Sequence, residues 1–415
     1  MKIKNVILTK SYTGFYFDDQ QAIKKDAEHD GFFYIGDPQI KGYEQVRVPG
    51  EAISVQLVLE DGQVALGDCA SVQYSGAGGR DPLFLADRYL PFMEEKLVPL
   101  LIGEDVSIFK PMAEKYDRME IEGKKLHTAI RYGLTQALLS ATALTQKKTM
   151  AEVIKDEYNP TLEAFQSIPV FGQTGDDRYT NVDKLILKEA DSMPHALINN
   201  VKEKLGYQGE ILKQYVIWMR NRILKFRRNE NYYPILHIDV YGTMGLAFQN
   251  DVERIVNYII ELEKEAEPFK LRIESPIDGG NRLDTMLALK EIREKLESYM
   301  SGVEIVADEW CNTLEDIKYF TDHKAGHIVQ IKTPDLGGVN NIAEAILYCK
   351  AHHMGAYCGG TCNETNISAQ VTTHIAIATQ ADVVIAKPGM DVDGGFMIVK
   401  NEMERTIGLI RQRNR

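Results

Sequence analysis

The segment Tyr233-Pro-Ile-Leu-His-Ile-Asp239 is short, rich in apolar residues and closed by a carboxylate. The same arrangement returns in Lys270-Leu-Arg-Ile-Glu274 and in Val303-Glu-Ile-Val-Ala-Asp308, so that the three acids recur about 35 residues apart. After each segment the strand pattern stops, and apolar residues at helical spacing follow. Because one strand and one helix of a parallel barrel need about this length, the spacing predicts three acidic side chains side by side at one mouth of a barrel.

Strands and helices alternate in the same rhythm on both sides of these segments. Further strands are predicted at 167–172, 195–198, 327–332, 355–360 and 382–386. Eight strands alternating with helices over about 250 residues are typical of a (β/α)8 barrel, an α/β fold whose active sites lie at the C-terminal ends of the strands. The sequence therefore predicts a barrel catalytic domain over residues 161–415.

The first part of the chain follows a different pattern, with strands first and helices afterwards. The stretches 51–60 and 63–67 flank Asp61-Gly62, which is a strong signal for a β-hairpin. Helical patterns follow at about 82–101 and 126–146. This order predicts an N-terminal α+β capping domain with an antiparallel sheet, covering residues 1–160.

Carboxylates gathered at one barrel mouth are hard oxygen ligands of the kind that Mg²⁺ prefers. On the next predicted strand, the alternation of side chains points Gln330 and Lys332 toward them. A lysine beside a dication is a candidate general base. Each residue also has a simpler explanation: a single acid at a strand end can cap a helix, and Lys332 can be a salt-bridge partner. Three acids in register favour the metal site over the simpler reading.

Other polar residues give weaker signals. His195 starts the predicted strand 195–198, where it could be an ordinary core histidine with its hydrogen bonds satisfied. Thr361 and Cys362 follow Gly359-Gly360 and could belong to a simple turn. Cys362 is not a candidate nucleophile, because no partner that could act as its base is identifiable in the sequence.

Composition excludes several classes of partner. A net charge of −12 and a pI of about 5.4 argue against binding to nucleic acid or to an anionic membrane surface. The five cysteines are odd in number and lack metal-site spacing, which favours reduced thiols in a cytosol. Neither an apolar run of transmembrane length nor the apolar core of a signal peptide is present. We therefore expect a cytoplasmic protein that acts on a small molecule.

The acids on consecutive strands, with a lysine on the next, are similar to the pattern of the enolase superfamily. Within it, the whole chain closely resembles the 3-methylaspartate ammonia-lyase family, without a departure at the catalytic positions. The matching stretches are Pro169-Val-Phe-Gly-Gln173, Met193-Pro-His195, His237-Ile-Asp239-Val-Tyr-Gly-Thr243, Ile273-Glu274-Ser-Pro276, Ala307-Asp308-Glu309-Trp310, Gln330-Ile-Lys332-Thr-Pro334 and Gly359-Gly-Thr-Cys-Asn-Glu364.

The resemblance implies a carbon–nitrogen lyase that reversibly eliminates ammonia from L-threo-3-methylaspartate to give mesaconate, through an Mg²⁺-stabilised enediolate, in glutamate fermentation. It implies that Lys332 takes the C3 proton and that His195 serves the opposite face of the substrate. The implied Mg²⁺ ligands are Asp239, Glu274 and Asp308. The implied contacts to the substrate's carboxylates and amino group are Gln173, His195, Gln330, Thr361 and Cys362. Activation by a monovalent cation, usually K⁺, and a homodimer are further expectations from the resemblance.

The chemistry explains why such residues are needed. A proton next to a carboxylate is very weakly acidic, because its removal adds a second negative charge to an anionic group, and a bound metal spreads that charge. Lys332 must be neutral to act as a base, and we expect burial and a nearby dication to lower its pKa. Two alternatives stay open: another metal-enolate enzyme, such as an acid-sugar dehydratase or a racemase, and a non-catalytic barrel protein.

Overall fold

A computed structural model describes residues 1–25, 27–77 and 79–413. The strands are β1 Ile3–Asp18, β2 Glu28–Asp30, β3 Phe33–Ile35, β4 Arg47–Leu59, β5 Val64–Cys69, β6 Glu120–Ile121, β7 Lys124–Lys125, β8 Val170–Phe171, β9 Ser192–His195, β10 Ile235–Asp239, β11 Leu271–Glu274, β12 Glu304–Ala307, β13 Ile328–Ile331, β14 Gly355–Cys358 and β15 Val383–Ile385. The helices are α1 Gln20–Lys24, α2 Ala86–Phe92, α3 Val98–Leu101, α4 Phe109–Asp117, α5 Thr128–Gln146, α6 Met150–Tyr158, α7 Arg178–Leu187, α8 Glu210–Phe226, α9 Thr243–Ala247, α10 Val252–Ala266, α11 Arg282–Ser298, α12 Leu314–Asp322, α13 Val339–Ala351, α14 Asn366–Thr379 and α15 Val392–Arg413, with π-helical turns at Met93–Leu97 and Val201–Leu205.

The N-terminal strands β1, β4 and β5 form an antiparallel sheet in that order. β4 and β5 are the two strands of the hairpin predicted around Asp61-Gly62. Helix α5 lies directly against this sheet: a Cβ on Gly67 would collide with the Gly133 carbonyl oxygen, and a Cβ on Gly133 would collide with the Cys69 amide nitrogen. The two glycines therefore permit a helix-to-strand approach that larger residues would prevent.

The strands β8 to β15 close into an eight-stranded parallel barrel. Asp239 and Glu274 are direct register partners on β10 and β11, so the predicted spacing does place these two acids at one level of one rim. Rings from Phe171, His237 and Tyr357 fill the barrel interior, and the Phe171 and His237 rings stack with centroids 4.1 Å apart. The predicted α/β barrel is confirmed.

The second barrel strand was predicted at the wrong position. It runs over Ser192–His195 instead of 195–198. His195, Ala196 and Leu197 adopt left-handed backbone conformations, with φ of 62°, 73° and 45°, and three such residues in succession cannot continue a strand. His195 therefore ends its strand, and its side chain lies at the same rim of the barrel as the acids.

Two further observations concern the cysteines and the helices. All five cysteines are free and buried. Across the described ranges, no helix has both the length and the apolar character that a membrane crossing requires.

Candidate active site

The C-terminal ends of the barrel strands bring the predicted polar residues together at one rim. His195 ends β9, Asp239 ends β10 and Glu274 ends β11. Asp308 follows β12 directly, and Lys332 follows β13 directly. These five side chains are buried or nearly so, with the Lys332 side chain the most exposed at 17%. Five consecutive strands therefore build one polar cluster.

The carboxyl groups of Asp239 and Glu274 lie close together in a buried site that disfavours their charged forms. Burial, and then the charge of neighbouring acids including Asp308, raise the pKa of both groups well above the ordinary range. Ligand atoms of His195, Asp239 and Glu274 all lie within 4.8 Å of one another. A divalent cation at this position would relieve the repulsion and would meet the hard oxygen donors that Mg²⁺ prefers. The donor set therefore fits a metal ion.

Asp308 contacts Lys332 in this structure. Lys332 Nζ lies 2.9 Å from Asp308 Oδ1 and 3.1 Å from Oδ2. Burial lowers the pKa of Lys332, but the negative charges of Asp308 and Glu309 outweigh burial and raise it overall. The protein groups by themselves thus favour the ammonium form. The base role needs a cation that offsets the charge of the acids.

Two glutamine amides are held in defined orientations. Gln330 Nε2 donates to Glu274 Oε1 at 2.7 Å, and Gln173 Nε2 donates to the carbonyl oxygens of Ala386 and Gly389 at 2.8 Å each. Because each Nε2 faces protein acceptors, the carbonyl oxygen of each amide is the group that can bind a ligand. Gln330 Oε1 is buried and has no hydrogen-bond partner among the described residues. It is therefore available to accept a hydrogen bond.

His195 lies across the barrel from Lys332, since β9 and β13 are four strands apart in the closed ring. Its Nε2 is 3.5 Å from Asp239 Oδ2, whereas its Nδ1 is buried and lacks a partner within the described ranges. Burial, and then the charge of Lys332, lower the pKa of His195 to about 3. The imidazole is therefore neutral, and the site has a lysine on one side and a neutral histidine on the other.

The 359–362 loop follows β14 and carries Thr361 and Cys362. Cys362 Sγ lies 3.4 Å from Oε1 of Gln73, whose Nε2 donates to Asp18 at 2.7 Å. Burial raises the pKa of the Cys362 thiol to about 12, which keeps it protonated. Gln73 was not predicted, because a polar residue in the irregular stretch after β5 gives no periodic signal. Through Gln73 the N-terminal strands contact the barrel loop.

His237 is a second residue that the sequence analysis did not single out. Its Nε2 lies 2.8 Å from Glu274 Oε2, and both side chains are fully buried. Burial lowers the pKa of His237 well below the usual range, so the ring is neutral and shares one hydrogen bond with the acid. A signal did exist: His237 stands two residues before Asp239 on one strand, and side chains two apart point the same way.

Models of one protein family match nearly the whole chain. The methylaspartate ammonia-lyase N-terminus model matches residues 1–159, and the methylaspartate ammonia-lyase C-terminus model matches residues 161–412. The chain belongs to the methylaspartate ammonia-lyase family. The family assignment agrees with the resemblance seen in the sequence motifs.

Individual members of the family are similar over their full length. The methylaspartate ammonia-lyase of Clostridium tetanomorphum is 62% identical over 413 residues, with 100% of both chains covered, and a crystal structure of this enzyme as an Mg complex gives a TM-score of 0.96. The Citrobacter amalonaticus methylaspartate ammonia-lyase, crystallised with (2S,3S)-3-methylaspartic acid, is 56% identical with a TM-score of 0.97, covering 99% of this chain and 100% of that one.

The fold extends beyond the methylaspartate ammonia-lyase family. Muconate cycloisomerase from Pseudomonas fluorescens is 15% identical, with a TM-score of 0.59, and the match covers 91% of this chain and 84% of that chain. This likeness supports the barrel with an N-terminal cap as a shared architecture.

Proposed function

We propose that this chain reversibly eliminates ammonia from L-threo-3-methylaspartate to give mesaconate. The family assignment identifies a carbon–nitrogen lyase. The observation that carries the proposal is the arrangement of Lys332 and His195 on opposite sides of one acidic cluster at the barrel rim. A substrate held there presents one face of C3 to the lysine.

Asp239, Glu274 and Asp308 would hold Mg²⁺. Two of the three have raised pKa values because burial and mutual repulsion disfavour their charged forms. When bound, Mg²⁺ would stabilise the negative charge that develops on the substrate carboxylate as the C3 proton leaves. Asp308 contacts Lys332 as well, so the same carboxylate links the metal position to the base.

Lys332 would remove the C3 proton. The C3–H electron pair is delocalised onto the adjacent carboxylate and then forms the C2=C3 double bond as the C2–N bond breaks, and ammonia leaves with the electrons of that bond. Lys332 holds the proton until the reverse reaction or solvent takes it. His195, neutral on the opposite face, would orient the threo substrate or act as base for the 3-epimer.

The substrate contacts follow from donor and acceptor roles. Gln330 and Gln173 offer amide oxygens, which accept hydrogen bonds from an amino group but cannot donate to a carboxylate. Thr361 and Cys362 offer a hydroxyl and a thiol in the loop after β14, the neighbour of the strand that carries Gln330. The Thr361 hydroxyl can donate to a carboxylate, and the Cys362 thiol, which donates to Gln73 Oε1 in this structure, could do so by exchanging that partner. We assign the amino group to the two glutamine amide oxygens and a carboxylate to the 359–362 loop.

The remaining expectations belong to the same proposal. They are a division into a capping domain of residues 1–160 and a barrel of residues 161–415, activation by K⁺, a homodimer, a cytoplasmic location and a role in glutamate fermentation. The family models, which meet between residues 159 and 161, support the domain division. Family membership supports the others.

The test is growth of mesaconate absorbance on mixing the protein with L-threo-3-methylaspartate, Mg²⁺ and K⁺. The same assay with Mg²⁺ but without K⁺ measures the effect of K⁺ separately from that of Mg²⁺. Acid sugars and N-acylated amino acids, supplied in parallel, test the dehydratase and racemase alternatives. Absence of turnover together with absence of Mg²⁺-dependent deuterium uptake from solvent into methylaspartate would leave the non-catalytic barrel as the correct description.

A further inference from the structure

A lysine and a glutamate form an ion pair behind the 359–362 loop. Lys387 follows β15, and its Nζ lies 3.0 Å from Oε1 of Glu364, which follows the loop after β14. Both side chains are 0% exposed. The roles assigned above to the acids, to Lys332 and to the substrate contacts do not involve this pair.

The lysine uses all of its hydrogen-bonding capacity. Besides Glu364, its Nζ donates to the Gly359 carbonyl oxygen and to Thr333 Oγ1, at 2.8 Å each. An ammonium group has three donors, and each has a partner. Lys387 therefore contacts the start of the 359–362 loop and the residue that immediately follows Lys332.

The Glu364 carboxylate accepts hydrogen bonds from four groups besides Lys387. Oε1 also accepts from Thr361 N at 3.2 Å and from Thr333 Oγ1 at 3.0 Å, while Oε2 accepts from Tyr132 at 2.8 Å and from Ser368 at 2.9 Å. Burial, and then Glu364 itself, raise the pKa of Tyr132 well above the usual range, so its hydroxyl stays a donor. Helix α5 of the N-terminal part thus reaches the network.

The loop is shaped to fit against the pair. A Cβ on Gly360 would collide with Glu364 Oε1 and with Lys387 Nζ, so only glycine permits this approach. A buried ion pair is in general weak evidence for stability, because an apolar pair of similar volume often serves as well. An apolar pair could not bind Gly359, Thr361 and Thr333 together. What the ion pair provides, and an apolar pair would not, is therefore a set of hydrogen bonds that fixes the relative positions of these three residues.

We propose that Lys387 and Glu364 are positioning residues, which hold the 359–362 loop and Lys332 in one fixed relation across strands β13, β14 and β15. Thr333 is the link to the base, and Thr361 is the link to the substrate. The turnover readouts below rest on the proposed function, whereas the exchange readout does not.

The first test is a small change at the link to the base. Thr333→Val keeps the side-chain shape but removes the hydroxyl, and we expect kcat to fall about tenfold, with KM within about twofold, because small displacements of a base reduce turnover strongly. Thr333→Ser should restore most of kcat. The matched control is Thr142→Val, since Thr142 is also 0% exposed but its hydroxyl bonds to the Leu138 carbonyl of its own helix. Wild-type kcat in Thr333→Val would overturn the link to Lys332.

The second test replaces both charges, because a single replacement leaves a buried unpaired charge and risks unfolding. The double variant Lys387→Met/Glu364→Gln should fold, by circular dichroism and thermal melting, and should still lose at least about tenfold in kcat/KM. The control is His374→Asn/Glu402→Gln, which removes a partly buried pair, 3.0 Å apart, between α14 and α15. A folded double variant with normal kcat/KM would show that the pair is only structural.

A readout that is independent of the reaction is hydrogen exchange followed by mass spectrometry. In Lys387→Met/Glu364→Gln, the amides of residues 357–365 should exchange faster, because Thr361 N loses its charged acceptor. The control pair should leave this segment unchanged. If wild type proves inactive on methylaspartate, the proposed function fails, and unchanged exchange in the double variant would separately refute the positioning role.

Discussion

Asp239 and Glu274 are register partners on neighbouring parallel strands, and both carboxylates are buried with raised pKa values. Two like charges held side by side in this way are unfavourable until a cation lies between them. Because a bound cation would relieve this repulsion, metal binding should raise the free energy of unfolding, and it can be measured in that way as well as through turnover.

Asp239→Asn and Glu274→Gln should each weaken Mg²⁺ binding while the fold is retained. Without Mg²⁺, we expect the melting temperature of Asp239→Asn to equal or exceed that of wild type, since the change removes a repulsive charge and the amide oxygen can still accept from Tyr241 N. Glu274→Gln removes a repulsive charge too, but its new NH2 faces Gln330 Nε2 or His237 Nε2, which offsets that gain. Wild type should gain about 2.7 kcal/mol when Mg²⁺ is at 100 times its Kd, and the variants should lose most of that gain at the same concentration. Thermal melts with Mg²⁺ and with a chelator measure both effects. A full Mg²⁺-induced shift in either variant would contradict the metal assignment.

Asp308→Asn is expected to differ from these two variants. It also removes the partner of Lys332, so Mg²⁺ affinity and kcat should fall together. Isothermal titration with Mg²⁺ and steady-state assays at saturating Mg²⁺ separate the two losses. Recovery of wild-type kcat at high Mg²⁺ would show that Asp308 contributes only to metal binding and not to the function of Lys332.

Lys332→Ala should abolish deamination of the threo substrate, because it removes the amine that contacts Asp308 in the acidic cluster. His195→Ala should suppress reaction of the erythro epimer more than that of the threo isomer. The two purified isomers, assayed separately by mesaconate absorbance, measure the ratio. If His195→Ala lowers the activity on both isomers equally, His195 is a general binding residue.

Arg80 joins the N-terminal part of the chain to the barrel rim. Its Nε donates to Asp335 at 2.9 Å and its Nη2 to Asn312 at 3.2 Å. Arg80→Lys keeps the charge but cannot reproduce the forked contact, so we expect kcat/KM to fall about tenfold, or about 1.4 kcal/mol. Limited proteolysis should show faster cleavage near residue 80. Arg88→Lys, at an exposed position on α2, is the control and should behave as wild type.

The lowered pKa of Glu402 should make the stability of the fold depend on pH. Its hydrogen bond to His374, the largest cause, lowers its pKa from 4.5 to about 2. The carboxylate thus stabilises the fold above about pH 4.5, and this contribution is lost as pH falls toward 2. Glu402→Gln should cost at most about 3 kcal/mol at pH 7 and nothing near pH 2. Urea unfolding at both values checks this, and a constant cost would refute the linkage.

The sequence predicted the barrel and the position of the acids and of Lys332 at one rim, because strand–helix spacing and side-chain alternation are local properties. It placed the second strand wrongly, since the left-handed turn over His195, Ala196 and Leu197 depends on packing that no local pattern records. Gln73 and the Lys387–Glu364 pair were not predicted for a related reason. Their partners lie far away along the chain, and only the closed barrel brings them together.

The closed ring has a consequence for how this protein tolerates rearrangement. Residues at the site come from strands on every side of the barrel, with helix α5 reaching in through Tyr132. No excised segment or grafted loop holds a working subset of them. Turnover therefore reports complete assembly. A chain with seven strands in place and one undocked is inactive, so activity during refolding should appear only with the last step of closure.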